Sequence, residues 1–178
     1  RYWRDWSSDV CSSDLSMSRL DSFISRMQAQ RDGLNFLKAS VDALPGPILE
    51  LGLGNGRTYD HLRQLFPTRD IYVFERLVAA HPDCIPPDDR LFRGELRETM
   101  PLATQRLGGT AALIHSDLGI GVEADTIATG KWLGPALDGL IARGGYVLAN
   151  QSLDVARWQR LPEPPGVPPG RYFLYRAR

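Results

Sequence analysis

Seven consecutive residues, Glu50-Leu51-Gly52-Leu53-Gly54-Asn55-Gly56, carry the strongest chemical signal in the chain. An apolar run, Ile48-Leu49-Glu50-Leu51, leads directly into three glycines at alternate positions, and a helical pattern follows. Glycines placed this way let the backbone turn sharply and let a ligand lie against bare peptide groups. In open α/β sheets, ligands sit outside the carboxyl ends of the strands at the topological switch point. Two common readings fail on spacing. A dinucleotide pattern G-x-G-x-x-G counted from Gly52 needs a third glycine where Arg57 stands, and the Gly-Lys-Ser/Thr of a Walker loop is absent.

Other residues able to do chemistry fall at the ends of later apolar runs. Ile71-Tyr72-Val73-Phe74-Glu75 closes on a carboxylate, which can accept hydrogen bonds from two vicinal hydroxyls. A third run ends at Gly94-Glu95 and a fourth at His115-Ser116-Asp117. Asp117 lies nearer the glycine loop and is the preferred cleft residue, able to orient a ligand or take a proton. Its alternative is to cap the turn Leu118–Gly121. His115 reads as a satisfied histidine at the end of a sheet. Cys84, set between Pro82 and Pro86, reads as structural, and no CxxC, HExxH or paired-histidine spacing suggests zinc.

Taken in order, these elements resemble class I S-adenosylmethionine-dependent methyltransferases. E-x-G-x-G-x-G is similar to their motif I, Glu75 to the acidic residue ending the next strand, and Gly94-Glu95 to the Gly-Asp at the adenine. Gly144-Gly145 stands before the fifth strand, as is common in that family. The resemblance covers residues 47–152, and from Met17 onward the chain resembles a small bacterial group of these enzymes. It implies a doubly wound, Rossmann-like α/β sandwich with a mostly parallel sheet, and S-adenosyl-L-methionine as cofactor. The implied binding set is Glu50, Gly52, Leu53, Gly54, Asn55, Gly56, Thr58 and Tyr59 around the loop, with Glu75, Arg76, Glu95, Leu96 and Asp117 beyond it. Asp117 is also the implied catalytic candidate, by contacting the cofactor amine, orienting an acceptor or acting as base.

The cofactor of such enzymes carries an already activated methyl group, so the protein must orient a nucleophile and exclude water. Orientation of that kind contributes roughly 7–11 kcal/mol in the best cases. A base is required only where the acceptor loses a proton. Asp117 with Asn150 resembles the Mg²⁺ site of catechol-type methyltransferases, but Ala149 replaces an acidic ligand, so no metal is expected. The fourth run is not followed by Asn/Asp-Pro-Pro-Tyr/Phe, there is no Pro-Cys nucleophile, and no basic patch is interleaved with aromatics. The expected acceptor is therefore a small molecule rather than nucleic acid. Two alternatives stand beside this: a module that binds the cofactor or its product without transfer, and an aminopropyltransferase, whose Gly-Gly-Gly-Asp/Glu-Gly loop is not matched.

The elements that must position these residues follow the hydrophobic pattern. Ser18 to Leu44 reads as a helix capped by Ser18 and Asp21, with an apolar stripe through Leu20, Ile24, Met27, Leu34, Val41 and Leu44. Gln30 and Arg31 interrupt the stripe. Arg31 is a candidate clamp for the carboxylate of bound S-adenosylmethionine, the alternatives being a protein carboxylate or carbonyl as its partner and a side chain that snorkels to water. Strands are expected at Pro47–Leu51, Ile71–Glu75, Arg90–Gly94, Ala111–His115 and Tyr146–Asn150, with Arg171–Arg176 as a final edge strand. Helices are expected at Thr58–Phe66, at Pro101–Leu107 with Pro101 in first position, and at 123–142 with a break near Gly134-Pro135.

The 178 residues carry no net formal charge and are 43% hydrophobic, values of an ordinary globular protein with no field to steer it to nucleic acid or an anionic membrane. Residues 5–15 resemble a translated sequencing adapter, so 1–16 are expected to be non-native and 17–178 to form one domain. On that reading the balance shifts by one positive charge and Cys84 is the only cysteine, which suits a reducing cytoplasm. No apolar run is long enough to span a membrane.

Overall fold

The computed structural model describes residues 18–118 and 123–178, the side chains of 123–128 excepted. Seven strands form one sheet in the order β3-β2-β1-β4-β5-β7-β6. The strands are β1 (Ile48–Leu51), β2 (Ile71–Glu75), β3 (Leu91–Arg93), β4 (Ala111–Ser116), β5 (Ile141–Ala149), β6 (Trp158–Leu161) and β7 (Phe173–Ala177). The first five run parallel, β7 pairs antiparallel with β5, and β6 pairs antiparallel with β7. The carboxy-terminal antiparallel edge is thus two strands wide, and β6 was not foreseen because Trp158-Gln159-Arg160-Leu161 alternates over only four residues. The chain leaves β1 toward β2 on one side and enters β4 on the other, which opens a crevice at the carboxyl ends of β1 and β4.

Every residue of β1 and β4 is buried, as a parallel sheet covered on both faces requires. One face packs under α3 (Leu96–Leu107) and α4 (Glu123–Asp138), with Leu49, Leu51, Ile114 and Val147 at its centre. The other face packs under α1 (Arg19–Asp42) and α2 (Arg57–Leu65) through Leu34, Leu37, Leu62, Leu113 and Leu148. Gly33 lets α1 approach the sheet closely: a Cβ there would come within 2.9 Å of the Leu148 side chain. Arg69 closes the carboxyl end of α1, donating to the carbonyls of Val41 at 2.8 Å and Gly46 at 2.7 Å.

Several boundaries differ from expectation. Ser18 does cap α1, accepting from the Asp21 backbone N–H at 3.0 Å, but the Asp21 carboxylate is too short to reach the Ser18 backbone and takes the Ser18 hydroxyl instead, at 2.7 Å. The apolar stripe of α1 does not face the core along its whole length. Leu20 and Ile24 are 66% and 43% exposed, because the first turns extend past the sheet. Helix α3 begins at Leu96 with Glu95 as N-cap, so Pro101 lies inside the helix rather than at its start. Helix α4 continues through Pro135 to Asp138. Strand β5 starts five residues early and bulges against β4 between Ile141 and Tyr146, taking Gly144 and Gly145 into the sheet. Among the described residues no helix is long and apolar enough to cross a membrane.

Candidate functional site

A cleft of about 770 Å³ opens at the carboxyl ends of β1 and β4, within the range of sites for small molecules and cofactors. One wall is backbone. Gly52, Leu53, Gly54 and Asn55 run along it, with Arg57 and Thr58 from the start of α2 beside them. Gly54 adopts φ 52°, and a Cβ placed there meets nothing within 4 Å, so the bare backbone faces open cleft. Glu75 reaches back from the end of β2 to fix this wall. Its Oε2 accepts from the N–H groups of Leu53 at 2.8 Å and Gly54 at 3.1 Å, and its Oε1 accepts from Leu77 N–H at 3.0 Å. Such bonds to a carboxylate are about twice as strong as neutral ones, so Glu75 holds the shape of the loop as well as lining the cleft.

Gly56 serves a different purpose from Gly54. Its φ is 82°, and a Cβ there would lie 2.4 Å from the Cys84 Cβ. The 81–89 segment therefore packs on the end of the loop, with His81 N–H donating to Asn55 carbonyl at 3.4 Å, and Cys84 has a packing role. Tyr59 likewise turns away from the cleft. It is 5% exposed within the α2 core, its ring lies 5.0 Å from the Arg63 guanidinium, and burial pushes its hydroxyl above the ordinary value.

The opposite wall is made of side chains. Asp117, just past β4, lines the cleft floor. Gln30 of α1 donates to its Oδ2, while Oδ1 is buried with no partner. The Gln30 carbonyl also lies 3.5 Å from the Thr58 hydroxyl, so one amide joins α1, the end of β4 and the start of α2. Arg26 and Met27 extend the wall along α1. Arg31 does not belong to it: the side chain is 57% exposed and its Nε donates to Asp32 at 2.9 Å. The reason is helical geometry, since Met27, Gln30, Leu34, Leu37 and Val41 follow steps of three and four, and Arg31 lies 100° round from Gln30.

Behind the floor, Glu50 and His115 form a buried pair. They sit opposite each other in the β1–β4 register, with His115 Nδ1 2.7 Å from Glu50 Oε2 and side chains 0% and 2% exposed. Burial pushes the Glu50 carboxyl up, against the pull of the imidazole. Burial also works against a charged His115, but the Glu50 charge and hydrogen bond, with help from Asp117, outweigh it and raise the imidazole above its ordinary value. His115 is therefore a partnered histidine at the sheet end, though its Nε2 is not satisfied.

At the far end of the cleft, Arg76 and Glu95 approach to 3.4 Å on the rim, Leu96 lines the wall, and the Arg97 guanidinium lies 4.4 Å from the centre of the Trp132 ring. The structure thus brings Glu50, Gly52, Leu53, Gly54, Asn55, Thr58, Glu75, Arg76, Glu95, Leu96 and Asp117 to one cleft, and leaves Gly56, Tyr59 and Arg31 outside its lining. Asn150, weighed as a metal ligand, donates to the Leu118 carbonyl at 3.1 Å, and no group of metal-binding side chains is found among the described residues. The turn Leu118–Gly121 that Asp117 was expected to cap lies mostly outside the described residues. Gln30, Arg26 and Trp132 line the cleft and were missed as site residues. Only Gln30 left a signal, as the polar break in the α1 stripe.

The model of the S-adenosyl-L-methionine methyltransferase family matches residues 17–177. The chain belongs to that family. A crystal structure of an S-adenosyl-L-methionine methyl transferase from Silicibacter pomeroyi is 44% identical, with TM-score 0.86 over 91% of this chain and 99% of that one. More distant structures share the fold. MNMC2 from Aquifex aeolicus is 14% identical, with TM-score 0.55 over 90% of this chain and 62% of that one. A probable spermidine synthase from Corynebacterium glutamicum is 15% identical, with TM-score 0.53 over 86% and 63%. No curated protein matches the chain. This methyltransferase uses S-adenosyl-L-methionine, and the cleft suits that group on its own evidence: a bare glycine wall, a carboxylate at the end of β2 and an unpartnered carboxylate oxygen on the floor.

Proposed function

We propose that the enzyme methylates a small molecule whose accepting atom bears a hydrogen, and that Asp117 is the group facing it. The observation that carries this reading is the state of the Asp117 carboxylate. Gln30 holds Oδ2, and Oδ1 is buried without a well-formed hydrogen bond, although the Tyr172 hydroxyl faces the carboxylate. A buried acceptor without a donor costs roughly 1–3 kcal/mol, which an N–H or O–H of the acceptor would relieve. Asp117 then orients that atom and receives its proton as the methyl group arrives.

The other residues take roles that follow from position. Gly52, Leu53, Gly54, Asn55 and Thr58 cradle the amino-acid end of the cofactor, and Glu75 with Arg76 holds the ribose. Glu95 and Leu96 stand beside the base. When bound, the cofactor supplies a methyl group on cationic sulfur. A small acceptor is favoured over nucleic acid because the cleft lining carries Glu75, Glu95 and Glu98 among its arginines, and the chain has no net charge to attract phosphates. A single catalytic domain working in the cytoplasm is the simplest setting for it.

A methyl-acceptor screen with isotopically labelled cofactor tests the reading. Asp117→Asn keeps the Gln30 contact but cannot take a proton, so transfer should fall by about 10²–10⁴-fold while S-adenosylhomocysteine still binds. Full activity in that variant, or preference for an acceptor atom that carries no hydrogen, would remove Asp117 from the role.

A further inference from the structure

On the α1 side of the sheet, Glu50, His115 and Asp117 share one enclosed space. His115 and Asp117 are two residues apart and therefore project to one face, and Glu50 lies opposite His115 on the neighbouring strand. Tyr172, fully buried just before β7, closes this space with its ring stacked on His115, centroids 6.1 Å apart. Its hydroxyl faces Asp117 and Gln30 without a well-formed bond to either, and the charge of Arg26 on α1 reaches it as well. Two carboxylates and one imidazole thus stand together, and both Glu50 and Asp117 line the cleft.

The two imidazole nitrogens are held very differently. Nδ1 is fixed by Glu50 at 2.7 Å, whereas Nε2 is buried with no partner. A proton on Nε2 is kept there by the field of two carboxylates rather than by an acceptor. It is the proton most easily displaced.

Building on the assignment of this cleft to S-adenosyl-L-methionine, we propose that His115 is a replaceable counter-charge by which the site distinguishes the cofactor, with its sulfonium charge, from the product, whose sulfur is neutral. The sulfonium, rather than the α-ammonium that both ligands carry, takes over as the counter-ion of Glu50 and Asp117, and the His115 Nε2 proton leaves to solvent. S-adenosylhomocysteine lacks the sulfonium charge and leaves that proton in place. The two carboxylates keep one positive counter-charge in both states, and no bond other than N–H is broken. Because the imidazole is held above its ordinary value of 6.5 by neighbours that a cation would neutralise, release is largest just above that pH. Affinity for the cofactor then rises with pH across this window by up to about tenfold per pH unit, while affinity for the product does not.

The test is calorimetric titration of the intact protein with each ligand, in phosphate and in Tris, whose different ionisation heats report protons released. The same samples with ¹⁵N-labelled histidine report the state of His115 directly. Cofactor should release a proton and convert Nε2 to its unprotonated form, while the product should do neither. In a His115→Asn variant, which removes the titrating group and leaves the cleft lining in place, the difference in proton count between the two ligands should vanish. Should that variant fail to fold, the nitrogen spectra of the wild-type protein decide. Equal proton counts for the two ligands, or a His115 ring indifferent to both, would overturn the inference and leave the cofactor site standing. Heatless titration by both ligands would overturn the site, and the inference with it.

Discussion

Across the cleft, a wall of backbone faces a wall of side chains. The glycine wall is local: Gly52 to Asn55 are consecutive, and one carboxylate, Glu75, fixes them from the next strand. The facing wall is assembled from distant parts of the chain, since Gln30 and Asp117 are 87 residues apart and Tyr172, buried behind them, comes from near the end. A wall of peptide groups depends on empty space beside it, whereas a wall of paired side chains depends on every partner being present. Substitutions should therefore fail differently on the two sides.

The largest effect is expected where bulk enters the empty space. Gly54→Val projects into open cleft and should abolish cofactor binding, measured by calorimetry, while the protein stays folded at a cost of roughly 1–2 kcal/mol for a left-handed, non-glycine residue. Gly54→Asn, which tolerates that conformation better, should bind weakly and lose less stability. Loss of folding with retained binding would reverse the roles assigned here.

Next is the carboxylate that fixes this wall. Glu75→Ala should weaken product binding by about 1.5–3 kcal/mol, the range for hydrogen bonds to a charged group. Because three backbone N–H groups also lose their acceptor, apo thermal stability should fall too. An unchanged melting temperature would show that the loop keeps its shape unaided.

On the side-chain wall, Gln30→Leu leaves both oxygens of Asp117 without donors and should lower stability by about 1–2 kcal/mol, with a smaller loss of product affinity than Glu75→Ala. Product affinity as low as in the Gly54 variant would mean that α1, not the loop, dominates binding. Arg31→Met is the control one position away. Its exposed side chain pairs with its neighbour Asp32 and lies outside the cleft lining, so stability and affinity should stay within about 0.5 kcal/mol.

The smallest effect concerns pH. With His115 raised in the folded protein, its stabilisation is fully present below the unfolded value of 6.5 and is lost as pH rises through the folded value. Thermal melts of ligand-free protein should decline gently across that interval, and a rise there would contradict the charged pair.

The same contrast explains what was legible in the sequence. Strands β1, β2 and β4 are continuous apolar runs ending in chemically distinctive residues, so their ends and the glycine wall could be read directly. Gly56 and Tyr59 were grouped with that wall because sequence shows neighbours along the chain, whereas Cys84 and the α2 core claim them in three dimensions. The Gln30–Arg31 break was visible, yet an arginine drew attention that the i, i+3 step gives to Gln30. Tyr172 follows a Pro/Gly loop and bears no periodic mark at all. The start of α3 was hidden by Pro101, a residue that usually opens helices rather than sitting inside them.

The most direct test of the cofactor site is a crystal structure with S-adenosylhomocysteine bound. The account predicts its amino-acid chain over Gly52 to Gly54 and its ribose hydroxyls on Glu75. Density for the ligand elsewhere would contradict it, most tellingly in the second cleft at the opposite end of the sheet, beside Arg69 and Thr110.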